Sequence, residues 1–115
     1  MKQSKYLERL IQFDRKVANL PNLESWINHK DKNHLFRRLQ QRAIDWNMIK
    51  LVIAYGRHQY WGGAQSWTLL DKNLKSTPYE KLTDRLRGLR IIAEVDDSED
   101  TLRVSTAYWV YDLRN

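Results

Sequence analysis

The chain reads as an α+β domain: N-terminal helices packed on one face of a four-stranded, mostly antiparallel sheet, with an extra helix inserted between strands two and three. Three observations predict this class. Apolar residues recur at helical spacing between residues 5 and 55. The period shifts after Gly56. Two strongly strand-favouring runs, Leu89–Val95 and Thr101–Val110, lie near the end.

The elements follow in order. Residues 5–18 carry Leu7, Leu10, Ile11, Val17 and Ala18 on one helical stripe, with Asp14 as its polar break, and Pro21 ends the helix. Leu23 to Ile27 reads as a short turn capped by Asn22, and His29–Asn33 as a polar connection. A helix over 34–44 begins at Asn33 as N-cap and buries Leu35, Leu39 and Ala43. Asp45 caps the next helix, with Trp46, Ile49, Val52 and Ile53 on its apolar side and Gly56 as the residue that closes it. Arg57–Trp61 and Gln65–Leu70 are two short strands around Gly62-Gly63. Thr77-Pro-Tyr-Glu80 has the form of a capping box with Pro at the first helical position, opening a helix over 78–87 that stops at Gly88. The last two strands form a hairpin around Asp96–Asp100. Period two puts Leu102, Val104, Thr106, Tyr108 and Val110 on one face.

A length of 115 residues suits one domain with one core, and no linker or repeat divides it. The chain has no cysteine, which excludes disulfides and thiolate metal sites. It has no 18-residue apolar run, so no membrane span is expected. The opening residues lack the continuous apolar segment of a secretion signal, so the expected location is the cytoplasm. The net charge of +6 favours polyanionic partners, either nucleic acid or an acidic protein.

The residues that carry chemistry are His34, Arg38 and Arg42. On a helix an i, i+4, i+8 series drifts only about 40° per step, so the three share one face. An imidazole exchanges protons near neutral pH, and guanidiniums fork onto phosphate oxygens. Basic residues on an amphipathic helix are also commonly just a solvated face. Arg37 points about 100° away and reads as solvated. Arg57 and His58 follow Gly56 and are candidates for the same nucleic-acid cleft, while His58 in a tight strand also suits surface or core. Trp61, Trp67 and Trp109 suit base stacking or core, with at least one expected in the core. No metal site is expected, since His29, His34 and His58 have no i+4 pairing and no carboxylate cluster beside them. No phosphate-binding Gly-rich loop or Ser-His-Asp order appears, and no cofactor is expected.

The pattern His34-x3-Arg38-x3-Arg42-x-Ile44, a helix ending at Gly56, and a final strand Ser105-Thr-Ala-Tyr108 resembles the domain-of-unknown-function 4258 family over residues 33–111. Residues 1–32 then form an N-terminal helical extension with no counterpart in the resemblance. The resemblance implies a small α+β ribonuclease-like domain of the barnase, EndoU, colicin and RelE group (the BECR fold). It also implies a toxin-type, metal-independent endoribonuclease and an antitoxin or other acidic protein as partner. It carries over His34, Arg38, Arg42, Thr106 and Tyr108 as site residues. His34 would serve as base or acid, and the arginines as phosphate clamps. Tyr108 would donate to a phosphate oxygen or orient His34, and Thr106 would fix an arginine. The segment Asp71 to Gly88, with its own helix, departs from the shorter link of that family and suits a cover, a partner site or a change of substrate. Two other readings use the same residues: a non-catalytic module that binds nucleic acid or protein, and a degenerate member kept for interaction through its tryptophans.

Overall fold

The computed structural model describes residues 2–26, 30–31, 33–95 and 100–114, with the side chains of residues 2–4 and 61 outside that description. The expected turn over 96–99, His29 and the stacking role of Trp61 therefore lie outside the described residues.

The sheet has five strands among the described residues, not four. They are β1 (Asn22–Ser25), β2 (Arg57–Trp61), β3 (Ala64–Thr68), β4 (Leu89–Val95) and β5 (Thr101–Trp109), in spatial order β1-β5-β4-β3-β2. The run from β2 to β5 is antiparallel, including the expected β4–β5 hairpin pairing. β1 lies parallel to β5, with Leu23 opposite Leu102. Sequence reading assigned this segment to a turn because Asn-Leu-Glu-Ser has a single apolar residue and shows no period. It becomes a strand by docking on β5, where the Asn22 amide donates to the Asp100 carbonyl and the Trp26 amide to the Val104 carbonyl.

The first helix is also two. α1 (Lys2–Gln12) and α2 (Arg15–Ala18) are separated at Asp14, whose extended backbone makes it the N-cap of α2. Its carboxylate accepts from the Lys16 and Val17 amides and from the hydroxyls of Tyr55 and Tyr79. Burial pulls the Asp14 carboxyl up, but the phenols and amides outweigh it and hold it below its usual value. Burial, and then the hydrogen bond to Asp14, pushes the Tyr55 phenol up to about 12, and the same causes raise Tyr79. The polar break in the stripe is thus the anchor of the break.

α3 (His34–Gln41) buries Leu35 and Leu39 against β5. It stops short of the expected residue 44. Ala43 takes a left-handed φ of +56°, the Ala43 amide donates to the Gln40 carbonyl, and the Ile44 amide donates to the Leu39 carbonyl. This is the Schellman arrangement, with Ala where Gly is usual and with buried Ile44 and Leu39 as its apolar contact. The turn lets Asp45 cap α4 (Trp46–Tyr55) by accepting from the Met48 amide. α4 buries Ile49, Leu51, Val52, Ile53 and Ala54, so it is apolar on nearly every side. It lies between the sheet and the α1–α2 pair, which packs mainly on α4 and not on the sheet as expected. Gly56 does follow α4, but its φ is −71°, so it is not a left-handed cap. Space requires the glycine instead: an added Cβ would stand 2.6 Å from the Val52 carbonyl oxygen.

The insertion between β3 and β4 does not form a helix over 78–87. It holds tight turns at Asp71–Asn73 and Glu80–Leu82 and one helical turn, α5 (Thr83–Leu86). The Thr77 hydroxyl does cap, accepting from the Tyr79 amide, but Glu80 accepts from the Ser76 amide and so tightens the preceding turn. Leu74, Tyr79, Leu82 and Leu86 are buried in the common core, so the segment closes the core.

β5 does not keep one face along its length. The register slips between Ile92 and Ala93, which pair with Thr106 and Val104 and leave Ser105 as a bulge. Leu102 and Val104 are buried on the helix side. Beyond the bulge Ala107 and Trp109 take that side, opposite the buried Ile91 and Leu89. Thr106 and Tyr108 are therefore turned to the other face, against the expected single stripe. That second face, among the described residues, is exposed or half-buried except at Ser66, Thr68 and Thr101. Among the described residues no helix is long and apolar enough to cross a membrane.

Candidate functional site

α3 packs on β5, which runs on beyond the end of β1. Its entry is organised by Asp31. The Asp31 carboxylate accepts from the Asn33 amide and the Arg37 guanidinium, and its carbonyl accepts from the His34 amide. Asn33, expected as the cap, makes no side-chain capping bond. Burial pulls the Asp31 carboxyl up, but Arg37, the Asn33 amide and the nearby charge of His34 lower it overall. Arg37 is therefore ion-paired on the surface, where solvation alone was expected.

His34, Arg38 and Arg42 do come together. With Leu35, Ser105 and Thr106 they line a cleft of about 260 Å³. The three do not share one helix, since Arg42 is the C-cap of α3. It is held at both ends. Its guanidinium donates to the Ala107 carbonyl at 2.8 Å and to the Thr106 hydroxyl at 3.4 Å, while its own carbonyl accepts from the Trp109 indole at 2.8 Å. The Thr106 hydroxyl thus lies against the Arg42 guanidinium, which the Ala107 carbonyl holds more closely. Arg38 is exposed, and His34 is half-buried.

An adjoining hollow of about 370 Å³ shares His34, Leu35 and Ser105 and adds Trp26 and Glu94. None of Ser105, Trp26 and Glu94 is among the site residues that the sequence predicts, although Ser105 opens the closing-strand motif. Ser105 enters only because of the bulge, Trp26 only because β1 ends beside β5, and neither leaves a periodic signal.

The remaining candidates lie elsewhere. Tyr108 is absent from the lining of both hollows and sits on the second sheet face beside Arg90, whose guanidinium lies 6.0 Å from its ring centre. Arg57 and His58 are on β2, at the opposite edge of the sheet from β5, so they do not enter the cleft. His58 stacks on Trp67 at 4.5 Å and bonds Gln65, on the helix-side face. Trp67 is core, and Trp109 packs against the core while holding Arg42. Among the described residues no group of His, Asp and Glu is arranged to hold a metal ion.

Comparison with family models, curated proteins and solved structures gives no match.

Proposed function

We propose that the protein binds RNA at the His34–Arg38–Arg42 cleft and cleaves it as a metal-independent, toxin-type endoribonuclease. The observation that carries this reading is the convergence of an imidazole, two guanidiniums and two hydroxyls on one small hollow. Two cations and two hydroxyls suit the non-bridging oxygens of a phosphodiester, and Arg42, tied to β5, is pre-placed to hold one. Imidazole is the side chain whose ordinary titration lies nearest neutrality, which suits proton transfer. In the proposed step His34 takes the proton of the ribose 2′-OH. The 2′-oxygen attacks phosphorus, the bond to the 5′-oxygen breaks, and water protonates that leaving oxygen. The products are a 2′,3′-cyclic phosphate and a 5′-hydroxyl. The arginines stabilise the extra charge of the phosphorane.

The test is cleavage of total RNA by wild type and His34→Ala in excess chelator, with end-group analysis. Cyclic-phosphate ends from wild type alone support the reading. A second reading is favoured by the displacement of Tyr108, which leaves the His34 imidazole with no phenol beside it in the lining of this cleft. On that reading the domain binds nucleic acid, or an acidic partner such as an antitoxin, without cutting. RNA binding by both forms with no cleavage by either would select it.

A further inference from the structure

The register places one row of side chains across the second sheet face: Arg57 on β2, Thr68 on β3, Arg90 on β4 and Tyr108 on β5. The row is cross-braced. The Arg90 Nε donates to the Thr68 hydroxyl at 2.8 Å, and its guanidinium lies over the Tyr108 ring. Arg57 is exposed at the far end. The next row, Gln59, Ser66, Ile92 and Thr106, carries no charge and meets the cleft at Thr106, which accepts from Arg42. At the other end of the face Arg103 stands between Glu24 and Glu94 in register. The face is thus polarised, with a carboxylate-bearing end and a carboxylate-free row of two arginines and a tyrosine.

We infer that this row is the track of the single-stranded RNA that leaves the cleft, an inference that rests on the proposed RNA-binding function. Continuity through Thr106 leads the strand from Arg42 onto Tyr108. Charge directs it along the arginine row, away from Glu94. Adjacent strands lie about 4.8 Å apart, so the row from β5 to β2 spans roughly 14 Å, the reach of a few nucleotides. Tyr108 supplies a ring on which a base stacks, and Arg90 and Arg57 face successive phosphates. The displacement of Tyr108 from the cleft thereby acquires a role: it reads the nucleotide next to the held phosphate. Arg57, which the cleft does not contain, returns as a contact at the distal end.

The track is tested by fluorescence anisotropy with 2′-O-methyl oligoribonucleotides, which cannot be cleaved by 2′-OH attack, as a trinucleotide and a nonanucleotide. The nonanucleotide should bind more tightly. Tyr108→Ala should weaken its binding about 10-fold, while Tyr108→Phe, which keeps the ring, should not. Arg57→Ala, at an exposed position, should weaken the nonanucleotide and lower its salt slope by about one, leaving the trinucleotide unchanged. Arg38→Ala should weaken both lengths. If Arg57→Ala and Tyr108→Ala leave the nonanucleotide unchanged while Arg38→Ala weakens it, the track is overturned and the cleft stands. If Arg38→Ala is also without effect, the RNA reading of the cleft falls with it.

Discussion

The Tyr79 hydroxyl donates a 2.6 Å hydrogen bond to the Asp14 carboxylate across 65 residues of sequence. The same oxygen accepts from Tyr55. One carboxylate therefore ties the insertion between β3 and β4 and the end of α4 to the break between α1 and α2. Asp14→Ala should cost about 3 kcal/mol, combining a lost N-cap with a buried phenol left unpaired. Tyr79→Phe, which removes one bond of the set, should cost about 1–2 kcal/mol. Urea unfolding monitored by circular dichroism gives both values.

This cluster also sets pH dependence at two ends. Asp14 titrates below its ordinary 3.8 in the folded state, so its contribution is present above that pH and is lost as pH falls below it. Tyr55 is raised from 10.0 to about 12, so its contribution is complete below pH 10 and is lost as pH rises towards 12. Unfolding midpoints should fall on both sides, and Tyr55→Phe should flatten the alkaline fall. An alkaline limb unchanged in Tyr55→Phe would contradict the assignment.

Two small substitutions should act in opposite directions. Ala43→Gly relieves a left-handed φ in the Schellman turn and should stabilise by about 1 kcal/mol. Gly56→Ala drives a Cβ into the Val52 carbonyl and should destabilise by about 2 kcal/mol or more. Thermal melts of the two variants should move apart on either side of wild type.

On the proposed function, His34→Ala should lower the RNA cleavage rate by about 10²-fold or more with little change in affinity, since proton transfer acts chiefly in the transition state. Arg42→Ala should reduce both rate and affinity. Initial rates in chelator, paired with binding isotherms, separate the two effects; a His34→Ala variant of unchanged rate would remove the imidazole from the chemistry.

The sequence carried the strongly periodic parts of this fold. The α4 helix and the β4–β5 pair stand where hydrophobic spacing put them, because each buries an apolar set, and the β2–β3 hairpin stands around Gly62-Gly63, whose turn signal marked it. What it hid depended on distant partners. Asn22–Ser25 is a strand only because β5 offers it an edge. Asp14 reads as a flaw in a helix until two tyrosines arrive from elsewhere in the chain. Ala43, a good helix former, leaves the helix because Ile44 must reach the core. At the site, His34, Arg38, Arg42 and Thr106 were legible as a group. Tyr108 was assigned to their side because a one-residue bulge at Ser105 reverses the alternation and has no mark in composition.

Arg42 has one more consequence, which concerns self-association. β1 ends at Ser25 while β5 runs on to Trp109, so the outer rim of β5 outlasts its neighbour. The Ala107 carbonyl on that rim is occupied by the Arg42 guanidinium. A charged side chain laid along a strand edge keeps a second molecule from adding its own strand there. Arg42 is in this sense a gatekeeper against edge-to-edge assembly, and a variant without its guanidinium would leave the Ala107 carbonyl open on that rim.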